Sequence, residues 1–144
     1  MIDYAVRVTL APDNTILALD SNGGVHPEGG VVGQCKSSFV PVEHLLIALG
    51  SCLIHFARRY LTRRGWRSCP IAELRCRVDE HACEIADIHV HLSTTCSLGT
   101  EQRAAFQRTL ELCPIHKALA GAVPICISVS TARQHPAEAE NSTL

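Results

Sequence analysis

The feature that most constrains the fold of this chain is an apolar stretch near its middle, from Leu45 to Ile54, interrupted only by Gly50 and Ser51. A helix that crosses a bilayer needs about 20 apolar residues. This stretch is shorter and is soon followed by Arg58 and Arg59. It therefore predicts a buried helix in a globular domain.

Proline and glycine mark the ends of this helix. Pro41 favours a helix start, because the N–H that proline lacks would be unpaired there in any residue, and Gly65 favours a stop. A helix between them is about 35 Å long, roughly the thickness of a small domain. One sheet in a chain of 144 residues covers such a helix poorly. We therefore expect an intertwined homodimer in which the partner covers part of the helix.

Alternation of apolar and polar residues, which is typical of half-buried strands, occurs on both sides of the helix. The glycine-rich segment 21–40 predicts a long loop with a short strand near Gly30–Gly33. Thr100 is the expected N-cap of a second helix. The other predicted elements are strands at 4–10, 15–20, 72–79, 85–95 and 123–130, a helix at 101–113 and a helical turn at 114–119.

The predicted order is β-β-α-β-β-α-β, which indicates the α+β fold class. We expect one domain over residues 1–132 and a polar tail at 133–144. With 13 Lys+Arg against 14 Asp+Glu and 4% aromatic residues, the chain has neither a basic excess nor stacking side chains for nucleic acid. The N-terminus shows no signal-peptide pattern. We expect a cytoplasmic protein with no membrane, nucleic-acid or cofactor partner.

Eight cysteines are many for such a chain. Cys52 shares a helix face with Leu45, Leu49 and Phe56, and Cys113 shares one with Phe106 and Leu110. Pro114 leaves Cys113 at the start of a new helical turn, where a thiol tends toward the thiolate. We assign the other six to the inert core; they are Cys35, Cys69, Cys76, Cys83, Cys96 and Cys126.

The two cysteines also allow a different interpretation. Cys52 precedes His55, and Cys113 precedes His116, with the same Cys-x-x-His spacing. Two such pairs could form a tetrahedral zinc site. The spacing is short and common, so a zinc-stabilised structural domain is the third alternative.

Two motifs resemble the OsmC/Ohr family (osmotically inducible protein C and organic hydroperoxide resistance protein). Pro41-Val-Glu-His-Leu-Leu-Ile-Ala-Leu-Gly-Ser-Cys52 is similar to the first-cysteine helix of that family, and Cys113-Pro-Ile-His-Lys-Ala-Leu-Ala-Gly-Ala-Val-Pro to its second-cysteine motif. The resemblance covers about residues 3–131. It implies an intertwined homodimer with a cysteine pair at each interface site. In the peroxidase members, one cysteine attacks the hydroperoxide and the other resolves the sulfenic acid.

The sequence departs from the peroxidase members at their charged residues. Those members resemble one another in a Glu ten residues before the first cysteine and a loop Arg. Here the acid is Glu43, nine residues before Cys52 and therefore on the opposite side of the helix, and no Arg occurs between Arg7 and Arg58. The substitutes considered are His26, Lys36 and His44.

Together these patterns favour a thiol-dependent enzyme of oxidative-stress defence that reduces organic hydroperoxides. Cys52 would attack, Cys113 would resolve, and Glu43 is the third candidate catalytic residue. An external dithiol or dithiol protein would restore the thiols. The alternative is a non-catalytic OsmC-like protein that senses oxidants or binds a small ligand.

Overall fold

The computed structural model describes residues 1–19, 25–27 and 39–132 and confirms an α+β fold. Its elements are β1 (Ile2–Leu10), β2 (Ile16–Leu19), β3 (Val25–Pro27), α1 (Pro41–Arg63), β4 (Ile71–Asp79), β5 (Glu84–Ser93), α2 (Thr100–Glu111), α3 (Pro114–Ala120) and β6 (Ile125–Ser130). The short strand β3 lies inside the predicted glycine-rich loop. The strand predicted near Gly30–Gly33 and the predicted tail at 133–144 lie outside the described residues.

The described strands form one sheet in the order β3-β2-β1-β4-β5-β6. Every neighbouring pair is antiparallel except β5 and β6, which are parallel. Parallel neighbours cannot be joined by a tight turn and need a crossover connection. Helices α2 and α3 supply this crossover, so Cys113, which lies between them, is carried on the link between two adjacent strands.

The helices cover the apolar face of the sheet. Helix α1 packs against β1 and β4, and α2 and α3 pack against α1 and β6. On the strands whose side chains the structure describes, alternate residues face these helices; on β1 they include Val6 and Val8, both buried. The opposite face carries charged side chains, among them the ion pair of Arg77 with Asp87.

Helix α1 has the predicted bounds. Gly65 has a φ of +78°, which a glycine adopts without steric cost just after a helix. Midway along α1, a Cβ at Gly50 would lie 2.7 Å from Leu74 Cδ1 and 3.1 Å from Val8 Cγ2. Gly50 therefore allows α1 to approach the sheet closely, two residues before Cys52.

One local prediction for α2 is wrong. The N-cap is Gly99, and Thr100 is the first helical residue; the backbone N–H of Gly99 donates to Gln102 Oε1 at 2.9 Å. The glutamine side chain thus pairs the backbone amide of the N-cap residue, as the N3 residue of a capping box does. The helix ends at Glu111, two residues before its approximate predicted end, and Cys113 lies at the start of α3, as predicted.

The assignment of the other cysteines to the core is correct for Cys76 and wrong for Cys69, Cys83 and Cys126, whose side chains are exposed. Cys126 lies on β6 between residues that face the helices, so it points to the opposite face. Cys83 occupies a turn with a φ of 55°. Cys96 is half-buried, and Cys35 lies outside the described residues.

Among the described residues, no helix combines the length and the apolarity needed to cross a lipid bilayer. The face of α1 that carries Leu45, Cys52 and Phe56 is only half-buried within one chain. The homodimer, which would cover this face, stays a prediction.

Candidate functional site

Packing of α3 against α1 brings Cys52 and Cys113 into contact. Their Sγ atoms lie 2.7 Å apart although 61 positions separate them in the chain. Both residues are free thiols, and a thiol can both donate and accept a hydrogen bond. The two sulfurs therefore form a dithiol pair that can be oxidised with little movement.

Different local structural features hold the two cysteines in place. Cys52 lies in the middle of α1, just after Gly50, and the buried Leu49 and Leu53 fix this part of the helix against the sheet. Cys113 is the N-cap of α3, with Pro114 as the first helical residue. Its Sγ accepts a hydrogen bond from the backbone N–H of His116 at 3.5 Å.

The surroundings of Cys52 favour its protonated form. Burial is the largest cause and, with the hydrogen bond to Cys113, raises the pKa of Cys52 to about 11 from an ordinary value of 9.0. The backbone N–H of Ile115 opposes this and lowers the pKa of Cys52. The sequence could not predict this hydrogen bond, because every residue except proline has a backbone N–H and no residue type marks the one that contacts Cys52.

The two sulfurs differ in access. Within a single chain, Cys113 is completely buried, whereas Cys52 is half-buried and borders solvent. A molecule that reacts with this pair from outside therefore meets Cys52 first. This order of exposure matches the predicted attacking and resolving roles, which themselves stay predictions.

Glu43 lies away from the dithiol. Its Oε2 accepts a hydrogen bond from the backbone N–H of Val40 at 3.0 Å, which pairs a free amide at the start of α1. Arg7 is also engaged elsewhere, in an ion pair with Glu73. The structure thus gives Glu43 a capping position, and a catalytic role for it stays a prediction.

Of the three residues considered as substitutes for the missing Glu and Arg, the structure describes the side chain of only one. His44 is exposed, and its ring makes an edge contact with Phe39, the two centroids 5.9 Å apart. Lys36 and the side chain of His26 lie outside the described part of the chain.

The zinc alternative depends on His55 and His116 lying beside the two cysteines. His55 is exposed, and Nδ1 of His116 is buried without a hydrogen-bond partner. Within residues 1–19 and 39–132, no three His, Cys, Asp or Glu side chains are placed to hold a metal ion. All four candidate ligands belong to these ranges, so the structure gives the zinc interpretation no support.

The fold and the site define a dithiol protein, in which a crossover helix places one thiol against another on a central helix. The chain belongs to the OsmC-like protein family, whose sequence model matches residues 33–128. A comparison with curated protein sequences finds no match.

Solved structures share the fold at low sequence identity. An OsmC-like protein from Mycoplasma pneumoniae is 16% identical, with a TM-score of 0.60 over 90% of this chain and 97% of that one. A protein described as a putative osmotic stress induced and detoxification response protein from Psychrobacter arcticus is 17% identical, with a TM-score of 0.60 over 85% of this chain and 93% of that one. The organic hydroperoxide resistance protein OhrB of Bacillus subtilis is 15% identical, with a TM-score of 0.50 over 88% and 97%.

Proposed function

We propose that this protein reduces organic hydroperoxides with the Cys52–Cys113 dithiol. The observation that supports the proposal is the 2.7 Å separation of the two sulfurs, which the fold brings together from distant parts of the chain. Membership of a family that includes organic hydroperoxide resistance proteins supports the same chemistry.

The reaction has two chemical steps and one reduction. The Cys52 thiolate attacks the peroxide oxygen that is not bonded to carbon; the O–O bond breaks, the alkoxide takes up a proton to leave as an alcohol, and Cys52 becomes a sulfenic acid. The Cys113 thiol then displaces this hydroxyl, which leaves as water, and a Cys52–Cys113 disulfide forms. A dithiol or dithiol protein supplies two electrons and two protons to restore both thiols.

Access decides which cysteine reacts first in this proposal. Cys52 borders solvent and Cys113 is completely buried. The residues around Cys52 on α1 are mainly apolar, which favours an alkyl hydroperoxide over hydrogen peroxide. The raised pKa of Cys52 leaves little thiolate at neutral pH, so attack should be slow for a thiol peroxidase.

Single-turnover kinetics test the proposal. The reduced chain is mixed with an alkyl hydroperoxide in a stopped-flow instrument, and the oxidation state of each cysteine is then mapped by mass spectrometry. Cys52→Ser should abolish the first oxidation. Cys113→Ser should keep this step but accumulate Cys52 sulfenic acid and stop turnover.

A matched control separates these effects from general thiol loss. Cys69 is exposed, so Cys69→Ser removes an accessible thiol away from the pair and should leave both steps unchanged. If Cys52→Ser keeps the first step and Cys113→Ser loses it, the proposed roles are reversed. If neither variant changes the reaction, the dithiol is not a peroxidase site.

The alternative is a non-catalytic redox sensor with the same dithiol. It would form the disulfide once but would not consume hydroperoxide in many cycles with added dithiol. We propose a cytoplasmic location, where a thiol pool could return either form to the reduced state.

A further inference from the structure

A histidine on the face of the sheet away from the helices is held between two serines of the neighbouring strand. His91 Nδ1 lies 2.9 Å from Ser128 Oγ, and His91 Nε2 lies 3.0 Å from Ser130 Oγ. His91 belongs to β5 and both serines belong to β6. Both ring nitrogens of an exposed histidine are thus paired with hydroxyl groups.

A third hydrogen bond determines which ring nitrogen carries the proton. Ser128 Oγ donates to the backbone carbonyl of Val90 at 3.3 Å. A hydroxyl has one proton to donate, so Ser128 Oγ accepts from His91, which assigns the proton of the neutral ring to Nδ1. Nε2 is then an acceptor, and the hydroxyl of Ser130 donates to it.

These hydrogen bonds follow the order of a nucleophile, a base and an orienting group. Ser130 donates to His91, and His91 donates to Ser128. A serine that shares its proton with a positioned imidazole can attack a carbonyl, because the imidazole takes up the proton as the new bond forms. Glu73 lies opposite His91 on β4 but pairs with Arg7, so the orienting group is Ser128.

Ser130 also borders a cleft at the start of α2. The volume of the cleft is about 420 Å³, within the range of small-molecule sites. Gly99, Thr100 and Arg103 line the same cleft. Among the described residues, none of α1 lines it. The cleft is therefore separate from the face of α1 that the partner subunit is expected to cover.

The start of α2 makes this cleft favourable for negative charge. The first N–H groups of a helix have no partner within the helix and carry a partial positive charge. The guanidinium of Arg103 adds a full positive charge and is held by a hydrogen bond to the backbone carbonyl of Val129. When a serine attacks an ester, negative charge develops on the carbonyl oxygen, and positive groups fixed nearby stabilise it.

We propose that Ser130, with His91 as its base, hydrolyses small carboxylic esters. Ser130 Oγ attacks the ester carbonyl carbon while its proton moves to His91 Nε2. The bond to the alkoxide breaks, and the alkoxide takes this proton and leaves as an alcohol. Water then attacks the acyl group on Ser130, a proton returns to Ser130 Oγ through His91, and the carboxylic acid leaves. The cysteines take no part, so this activity extends beyond the function proposed above.

Two measurements on the full chain test the proposal. The first is labelling by a fluorophosphonate, which reacts with activated serine hydroxyls, followed by peptide mass spectrometry. The second is hydrolysis of p-nitrophenyl acetate by the chain after its accessible thiols have been alkylated, so that they cannot accept the acyl group. Ser130 should carry the label, and acetyl-Ser130 should be recovered after rapid acid quenching.

Four variants assign the roles. Ser130→Ala should abolish the label and the hydrolysis. His91→Gln should slow acylation about 100-fold, the usual contribution of a positioned base, and Ser128→Ala should slow it by a smaller factor because it removes only the group that orients the ring. His89 is exposed two residues earlier on the same face of β5, so His89→Gln removes a matched imidazole and should change neither measurement.

The proposal is overturned if Ser130 takes no label, or if Ser130→Ala still hydrolyses the ester, which would mean that an imidazole attacks it directly. Equal losses in His89→Gln and His91→Gln would also overturn it, because any exposed imidazole would then suffice. None of these outcomes depends on whether the dithiol reduces hydroperoxides, so failure here is distinguishable from failure of the proposed function.

Discussion

The rate at which Cys52 reacts should keep rising with pH well above neutral pH. Its pKa is raised to about 11, so that about one Cys52 in ten thousand is ionised at pH 7. A thiol with the ordinary pKa of 9.0 would be ionised about a hundredfold more often. The higher pKa makes the thiolate itself roughly six- to tenfold more nucleophilic. Cys52 should therefore react at pH 7 roughly tenfold more slowly than an ordinary thiol.

The assay is alkylation of the reduced chain by iodoacetamide at a series of pH values, with Cys52 followed by peptide mass spectrometry. The rate should rise about tenfold per pH unit from neutral pH and level off near pH 11. Unfolding the chain in urea should move the midpoint back toward 9.0.

A variant separates the causes of this shift. Cys113→Ala removes the hydrogen bond between the sulfurs, but most of the burial around Cys52 remains. Because burial is the largest cause, the midpoint should fall in this variant yet stay above 9.0. A rate that levels off below pH 8 in the reduced native chain would refute the reasoning.

Three further predictions concern the scaffold. Glu43→Gln should leave the rate of Cys52 oxidation unchanged, since the amide oxygen can still accept a hydrogen bond from the backbone N–H of Val40. Glu43→Ala should lower the free energy of unfolding by about 0.5–2 kcal/mol. A slower reaction in Glu43→Gln would instead show that the charge of Glu43 is catalytic. Gly50→Val should cost about 1–3 kcal/mol in chemical denaturation through its clash with Leu74, and Gly121→Ala, where a Cβ has open space, should cost almost nothing. Sedimentation at micromolar concentration should give a dimer, and a stable folded monomer of 15.6 kDa would contradict this.

Local signals predicted the central helix and the break before α3 well. Pro41 and Gly65 act on their own stretch of backbone, so the sequence is enough to place the ends of α1. Pro114 likewise set Cys113 at the start of a new turn, where the structure has it as an N-cap. The contact between Cys52 and Cys113 has no such local signal. It came from the family resemblance, because spacing along the chain says nothing about the packing of α3 on α1.

The wrong predictions of cysteine burial concern side chains whose exposure depends on which face of the sheet they occupy or on tertiary packing. The exposure of Cys126 could have been predicted, because alternation along β6 puts Ile125 and Ile127 on the other face. That of Cys69 could not, since it lies outside the regular elements.

If the two cysteines form a disulfide, the crossover that carries Cys113 would link the oxidation state of the protein to its resistance to unfolding. A bond between the two sulfurs would close a loop spanning 61 positions, and closing a loop of this length in the unfolded chain stabilises the folded state by about 4 kcal/mol. That is a large share of the total stability of about 5–15 kcal/mol that is usual for a domain. The oxidised form would thus be the more durable one, and reduction would return the protein both to reactivity and to a lower melting temperature.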